Sequence, residues 1–265
     1  MIIDIEKITN FLQNISVAEN YNWEVPFRKG QGNNIFLEED RNSFEELMTN
    51  FERNVHLKTL LSEKIIKAKN NNDKVALKRI FEWTVHDWGG IRNGRKNIDK
   101  LFNIGKNAIE NEKLGFQRIA STSKILSFYK PNEYIIYDSR IAYSLNAIMF
   151  LVDASKKYFP VPAGTNSKMN AFNIEVLIRL KHKPDVYKRT GSKKLISQAD
   201  KILFFNDDEA YSKINETIKK INIKFYKNDP EKQFKPFYTE MLLFSIADTL
   251  IYDKIFEKVK LEIEA

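Results

Sequence analysis

The chain has 265 residues, of which 43% are apolar and 12% aromatic, and a chain of this length and composition can bury the core of one large folded domain. It contains no cysteine, which excludes disulfide bonds, iron–sulfur clusters and zinc sites built from thiolates. The formal net charge of +8 and the pI near 9.3 favour an anionic partner, although an AT-rich genome would give the same excess of lysine.

The first residues and the hydropathy of the chain predict where it works. Residues 1–7 alternate acidic with apolar side chains, a pattern unlike that of a secretory signal peptide. No apolar run reaches the length that spans a bilayer. We therefore expect a cytoplasmic protein with no membrane partner, and we expect it to be a monomer.

Helical periodicity covers most of the chain. The predicted helices, in chain order, span residues 43–68, 74–85, 98–109, 139–153, 173–180, 192–205, 208–225 and 237–255. Ser43 and Glu46 have the spacing of a capping box, and Gly89 and Gly90 follow the second helix as a stop signal. Only residues 21–37 look irregular, with room for a small β element. The pattern predicts a mainly α fold in which residues 1–265 form one globule with two helical lobes.

A lysine and an aspartate stand at two predicted helix starts within residues 123–140. Pro131 ends the first of these helices, because proline lacks an N–H and disfavours helical backbone in the residue before it. Residues 134–137 are apolar and β-prone, and Asp138 then precedes a new run of helical periodicity. Lys124 and Asp138 could therefore converge on one cleft.

The order of these parts resembles the helix–hairpin–helix DNA glycosylases. Residues 118–124 are similar to the hairpin and the lysine that opens the next helix, and residues 137–140 to the aspartate before the following helix. Trp-Gly-Gly at residues 88–90 and the apolar run at residues 237–244 fit bacterial proteins with the oxoguanine-glycosylase fold. The sequence departs from the family pattern because residues 120–123 contain no glycine.

The resemblance implies excision of a base from DNA. Asp138 would stabilise the cation that develops on the sugar as the base departs. Lys124 would attack C1′ and form a Schiff base, with strand nicking, or would contact a phosphate and leave water as the nucleophile. Trp88, Glu240 and Phe244 would form the base pocket. As alternatives, Asp138 is only a helix N-cap and Phe244 only a core residue.

The resemblance and the charge also predict contacts with double-stranded DNA. The hairpin, Arg140 and a basic stretch in residues 179–194 would follow the phosphate backbone, although a solvated surface explains the basic stretch equally well. The predicted DNA-binding residues are Ser121, Thr122, Ser123, Arg140, Lys181, Lys183, Lys188, Arg189, Lys193 and Lys194.

The expected substrate is a modified base in phage DNA, such as glucosylated hydroxymethylcytosine, or a damaged base such as oxoguanine. The three histidines show no ligand spacing, and the sequence has no phosphate-binding loop or dinucleotide fingerprint, so we expect neither a metal nor another cofactor. Two other functions remain open: a non-catalytic nucleic-acid-binding protein on the same scaffold, and a helical interaction protein of a defence system.

Overall fold

The computed structural model describes residues 3–27, 35–92, 97–164, 166–182 and 201–259. These residues confirm the predicted mainly α fold. They contain no β-strand, and their only strand-like pairing is an isolated bridge between Tyr158 and Phe204. The small β element expected in residues 21–37 is therefore not found in the part of that segment which the structure describes. None of the described helices is both long and apolar enough to cross a membrane.

The helices have the following bounds. They are α1 Ile5–Leu12, α2 Val17–Asn20, α3 Glu38–Asn42, α4 Asn50–Asn70, α5 Lys74–Glu82, α6 Ile98–Asn111, α7 Ile119–Tyr129, α8 Ser139–Leu151, α9 Ser167–Ala171, α10 Ile174–His182, α11 Asp207–Phe225, α12 Pro230–Gln233, α13 Phe237–Ile246 and α14 Leu250–Lys258. A π-helix at Trp83–Trp88 continues α5, and a short 3-10 helix spans Lys201–Leu203.

The predicted helix start at Ser43 is wrong. The capping box forms six residues later, where the Thr49 hydroxyl accepts from the backbone N–H of Glu52 and the Glu52 carboxylate accepts from the N–H of Thr49. Ser43 with Glu46 and Thr49 with Glu52 have the same spacing of three residues. Only the second pair precedes a helix with a continuous buried stripe. Residues 43–46 form turns instead.

Two later helices also differ from prediction. The sequence predicts a helix over residues 192–205, of which residues 192–200 lie outside the described residues. The described remainder forms the 3-10 helix, followed by the bridge at Phe204. The helix expected over residues 237–255 is divided into α13 and α14 by a turn. Helical periodicity continues through this turn, so periodicity alone does not reveal the break.

Three helices that are buried on nearly every side occupy the centre of the molecule. Most residues of α7, α8 and α13 are buried, as expected for helices surrounded by others. α7 packs against α4, α6 and the π-helix, whereas α8 packs against α10, α13 and α14. These contacts define one group of helices around α7 and another around α8. Lys124, Asp138 and Glu240 lie on or beside these central helices.

Candidate active site

One cavity brings together the five residues predicted for catalysis and the base pocket. Lys124, Asp138, Trp88, Glu240 and Phe244 all line it. It lies where the two groups of helices meet, because Trp88 and Lys124 come from the first group and the other three residues from the second. The five residues that the family resemblance grouped thus line one cavity, together with others that it did not indicate.

Asp138 uses its two carboxylate oxygens differently. Oδ1 accepts a hydrogen bond of 3.1 Å from the backbone N–H of Ile141, so Asp138 is the N-cap of α8 as predicted. Oδ2 lies 3.7 Å from Nζ of Lys124. The side chain is 15% exposed and lines the cavity. A cap on one oxygen thus leaves the other available for chemistry.

The extended residues before Asp138 are held from two sides. The backbone N–H of Ile136 donates to Oε2 of Glu240 at 2.7 Å, and that of Tyr137 donates to Oγ of Ser123 at 2.9 Å. Ser123 is the neighbour of Lys124 on α7. The position of Asp138 relative to Lys124 is therefore determined by backbone hydrogen bonds as well as by their ion pair.

Lys124 does not open a helix, and this prediction is wrong. It is in the second turn of α7, and its side chain runs back toward the helix start, where Nζ donates to the carbonyl of Ala120 at 3.1 Å. Gly89 gives the lysine stem room, because a Cβ there would lie 2.9 Å from Cδ of Lys124 and 2.7 Å from the carbonyl oxygen of Val85. The glycine after Trp88 thus helps to shape the cavity wall.

The predicted hairpin at residues 120–123 is also wrong, since these residues are helical and belong to α7. Thr122 and Ser123 are buried: the Thr122 hydroxyl donates to the carbonyl of Arg118, and Ser123 holds Tyr137 as described above. Neither side chain can contact DNA in this structure, and Ser121 is half-buried on the same helix. The turn between α6 and α7 falls at residues 112–118 instead.

Aromatic rings form the other walls of the cavity. Trp23, which sequence reasoning did not assign to the site, lies edge-to-face against Trp88 and Phe244 at centroid distances of 6.3 and 5.3 Å. Its indole N–H donates to the carbonyl of Trp88 at 3.0 Å, and the indole N–H of Trp88 donates to Oδ1 of Asn54 at 2.8 Å. Trp88 ends the π-helix, a distortion frequent at functional sites. Both indoles are therefore held rigidly beside Asp138.

Glu240 lines the cavity but is occupied by internal partners. Its Oε1 lies 3.2 Å from Nζ of Lys58, and its Oε2 accepts from the N–H of Ile136. Their side chains are 4% and 2% exposed. Burial raises the pKa of Glu240, and the positive charge of Lys58 offsets only part of this rise. Burial likewise lowers the pKa of Lys58. Glu240 therefore supports the wall of the cavity, and the prediction that it reads a base is not favoured.

Lys58 was missed by sequence reasoning, although a signal for it exists. It lies on the same stripe of α4 as Leu61 and Ile65, which are fully buried. A lysine on an apolar stripe needs a buried partner of opposite charge. Because the partner lies 182 residues away in sequence, the pattern indicates a buried lysine and does not identify Glu240.

Arg140 lies at the edge of the cavity. Its guanidinium group pairs with both carboxylate oxygens of Asp248, at 2.8 and 3.2 Å, and stacks over the ring of Phe244 at 4.9 Å. The side chain remains partly exposed. Its predicted contact with DNA is compatible with this position, because the pair with Asp248 leaves other N–H groups of the guanidinium available for a phosphate.

Of the DNA contacts predicted in the basic stretch, only Lys181 lies among the described residues, and it does not lie at the cavity. Lys181 pairs with Asp153 and donates to the carbonyl of Phe150, which places it at the carboxyl end of α8. Asp138 lies at the other end of this 13-residue helix, about 20 Å away. The other predicted contacts of this stretch, Lys183, Lys188, Arg189, Lys193 and Lys194, lie outside the described residues.

The described residues contain no group of three or more His, Asp or Glu side chains that could hold a metal ion. Comparison with protein families, curated proteins and solved structures finds no match to this chain. The fold and the site thus define a mainly α protein with an aromatic cavity that contains a lysine–aspartate pair. Its function must be inferred from that geometry.

Proposed function

We propose that this chain is a DNA glycosylase that binds one base, extruded from the duplex, in the cavity and cleaves its bond to the sugar. The observation that carries the proposal is the position of Asp138: the carboxylate oxygen that does not cap α8 lies 3.7 Å from Nζ of Lys124 in a cavity walled by aromatic rings. The aromatic walls can stack on a flat heteroaromatic ring, and they must move apart to admit one because the space between them is about 40 Å³. The net positive charge of the chain supports a nucleic-acid partner.

The aromatic walls would offset the cost of base extrusion. Removing a base from the stack costs a few kcal/mol. Stacking of a base on an aromatic side chain contributes about 1–3 kcal/mol, and Trp23, Trp88 and Phe244 each present part of a ring to the cavity. Since Arg140 lies at its edge, a phosphate beside the extruded nucleotide would meet a positive charge there.

Asp138 would carry the chemistry. As the bond between C1′ and the base breaks, its electron pair leaves with the base and positive charge develops on the sugar, which Oδ2 of Asp138 stabilises. Water then adds to C1′, and its proton is transferred to the departed base. Lys124 lies 3.7 Å from Oδ2 of Asp138 and holds it in place, and water is the proposed nucleophile.

The substrate class follows from the resemblance described above. We propose a modified base of phage DNA, with glucosylated hydroxymethylcytosine as the first choice and oxoguanine as the alternative. Incubating the protein with a panel of modified phage genomes and oxoguanine-containing duplexes should produce abasic sites in at least one of them. An aldehyde-reactive probe would detect these sites. Binding of DNA without base release from any member would support a non-catalytic nucleic-acid-binding protein instead.

Borohydride reduction tests the role of Lys124. We expect no covalent protein–DNA adduct under conditions in which the wild-type protein releases the base, because water is the proposed nucleophile. The product should be an intact strand with an abasic site, which denaturing electrophoresis distinguishes from a nicked strand. An adduct that forms with the wild-type protein and not with Lys124→Gln would show instead that Lys124 forms a Schiff base.

A further inference from the structure

Tyr21 carries a hydroxyl group that no described residue satisfies. It follows α2, and its ring packs against Phe51 and Phe244 at centroid distances of 6.4 and 6.0 Å. The side chain is only 6% exposed and lines the same cavity as Asp138. Its hydroxyl forms no hydrogen bond within the described part of the chain, and the protein does not fully enclose it, so it can reach a ligand in the cavity.

Other buried tyrosines near the site show what is missing. The hydroxyl of Tyr211 donates to the carbonyl of Ile135 at 3.0 Å, and that of Tyr137 donates to the carbonyl of Pro160 at 2.6 Å. Both hydroxyls join elements of the fold. Among the described residues the hydroxyl of Tyr21 has no such acceptor, and Tyr21 lines the cavity, so an acceptor on a bound ligand can take its place.

Burial and the nearby negative charges keep the hydroxyl of Tyr21 protonated. Burial, together with the nearby carboxylates of Glu240 and Asp138, raises the pKa of Tyr21 well above its usual value. At physiological pH the group is therefore a neutral donor. Both neighbouring carboxylates are engaged elsewhere, Glu240 with Lys58 and Asp138 with Lys124, so neither competes for the proton of Tyr21.

We infer, on the basis of the proposed glycosylase function, that Tyr21 donates a hydrogen bond to a carbonyl oxygen or ring nitrogen of the bound base. When the bond to C1′ breaks, its electron pair moves into the base, and negative charge accumulates on such acceptors. Tyr21 stabilises this charge and keeps its own proton. The cavity would then act on both products of bond cleavage, with Asp138 facing the sugar cation and Tyr21 facing the departing base. Bases that present an acceptor to Tyr21 are the expected substrates.

The variant Tyr21→Phe tests this role, with Tyr143→Phe as its matched control. Tyr143 is also buried with an unpartnered hydroxyl, but it lies outside this cavity. In single-turnover base release from a DNA that the wild-type protein cleaves, we expect Tyr21→Phe to be about 100-fold slower, because loss of one donor to a developing negative charge has this effect. Tyr143→Phe should stay within about twofold of wild type, the range expected for a residue that does not contact the substrate.

A second measurement uses the same substrate with a fluorinated base. If Tyr21 only packed against its neighbours, Tyr21→Phe would slow release of both bases equally. Fluorine stabilises the departing anion, so the loss caused by Tyr21→Phe should shrink at least tenfold. A loss below tenfold on the natural base, or an equal loss on both bases, overturns the role of Tyr21 while base release by the wild-type protein continues. Failure of the wild-type protein to release any base overturns the proposed function and this role together.

Discussion

Replacing Asp138 by asparagine is expected to slow base release at least 100-fold and to leave DNA affinity within about threefold of wild type. Asparagine caps a helix as well as aspartate does, so its side-chain oxygen can still accept from Ile141 and α8 keeps its start. The variant loses only the negative charge that stabilises the sugar cation, and removal of one such electrostatic group costs about 100-fold or more. Single-turnover kinetics and a DNA-binding titration measure the two quantities separately.

Asp73→Asn is the matched control for this substitution. Asp73 is also a helix N-cap, accepting from the backbone N–H groups of Val75 and Ala76, and it lies outside the cavity. This variant should release the base at the wild-type rate. If Asp138→Asn retained full activity, Asp138 would be no more than a cap. If it lost DNA binding and base release together, the carboxylate would serve the structure of the site and not the chemical step.

The largest loss of stability is expected for Glu240→Ala, at about 3–5 kcal/mol in the free energy of unfolding. Removal of this carboxylate leaves Lys58 as an uncompensated charge in the interior, and it also takes the hydrogen-bond acceptor away from Ile136. Urea denaturation monitored by tryptophan fluorescence would measure the loss. Because Ile136 lies two residues before Asp138, base release should fall as well.

Two further variants separate the buried charge from the general effect of removing an ion pair. Glu216→Ala removes an exposed partner of Lys220 on α11 and should cost less than about 1 kcal/mol. The double variant Lys58→Met with Glu240→Gln should recover most of the stability lost by Glu240→Ala, because no buried charge remains and glutamine can still accept from Ile136. A loss below about 1 kcal/mol for Glu240→Ala would contradict the buried ion pair.

Local signals in the sequence determined the helical class and several helix boundaries. Helices α6, α8 and α11 lie within about two residues of their predicted limits, since periodicity and N-cap residues act over one or two turns. Asp138 was found for the same reason, because an acidic residue before a helical run is a local pattern. The grouping of Lys124, Asp138, Trp88, Glu240 and Phe244 came from the family resemblance, and in the structure these residues line one cavity.

Only the tertiary structure decided what these side chains do. α7 begins at Ile119, so Lys124 lies inside a helix and Ser123 binds the backbone of Tyr137. Serine and threonine suit a turn or a buried helix equally well, and packing chooses between them. The partners of Glu240 and the surroundings of the Tyr21 hydroxyl depend on residues far away in the chain. The free energy of a polar group depends on what surrounds it after folding, and a sequence pattern does not contain those surroundings.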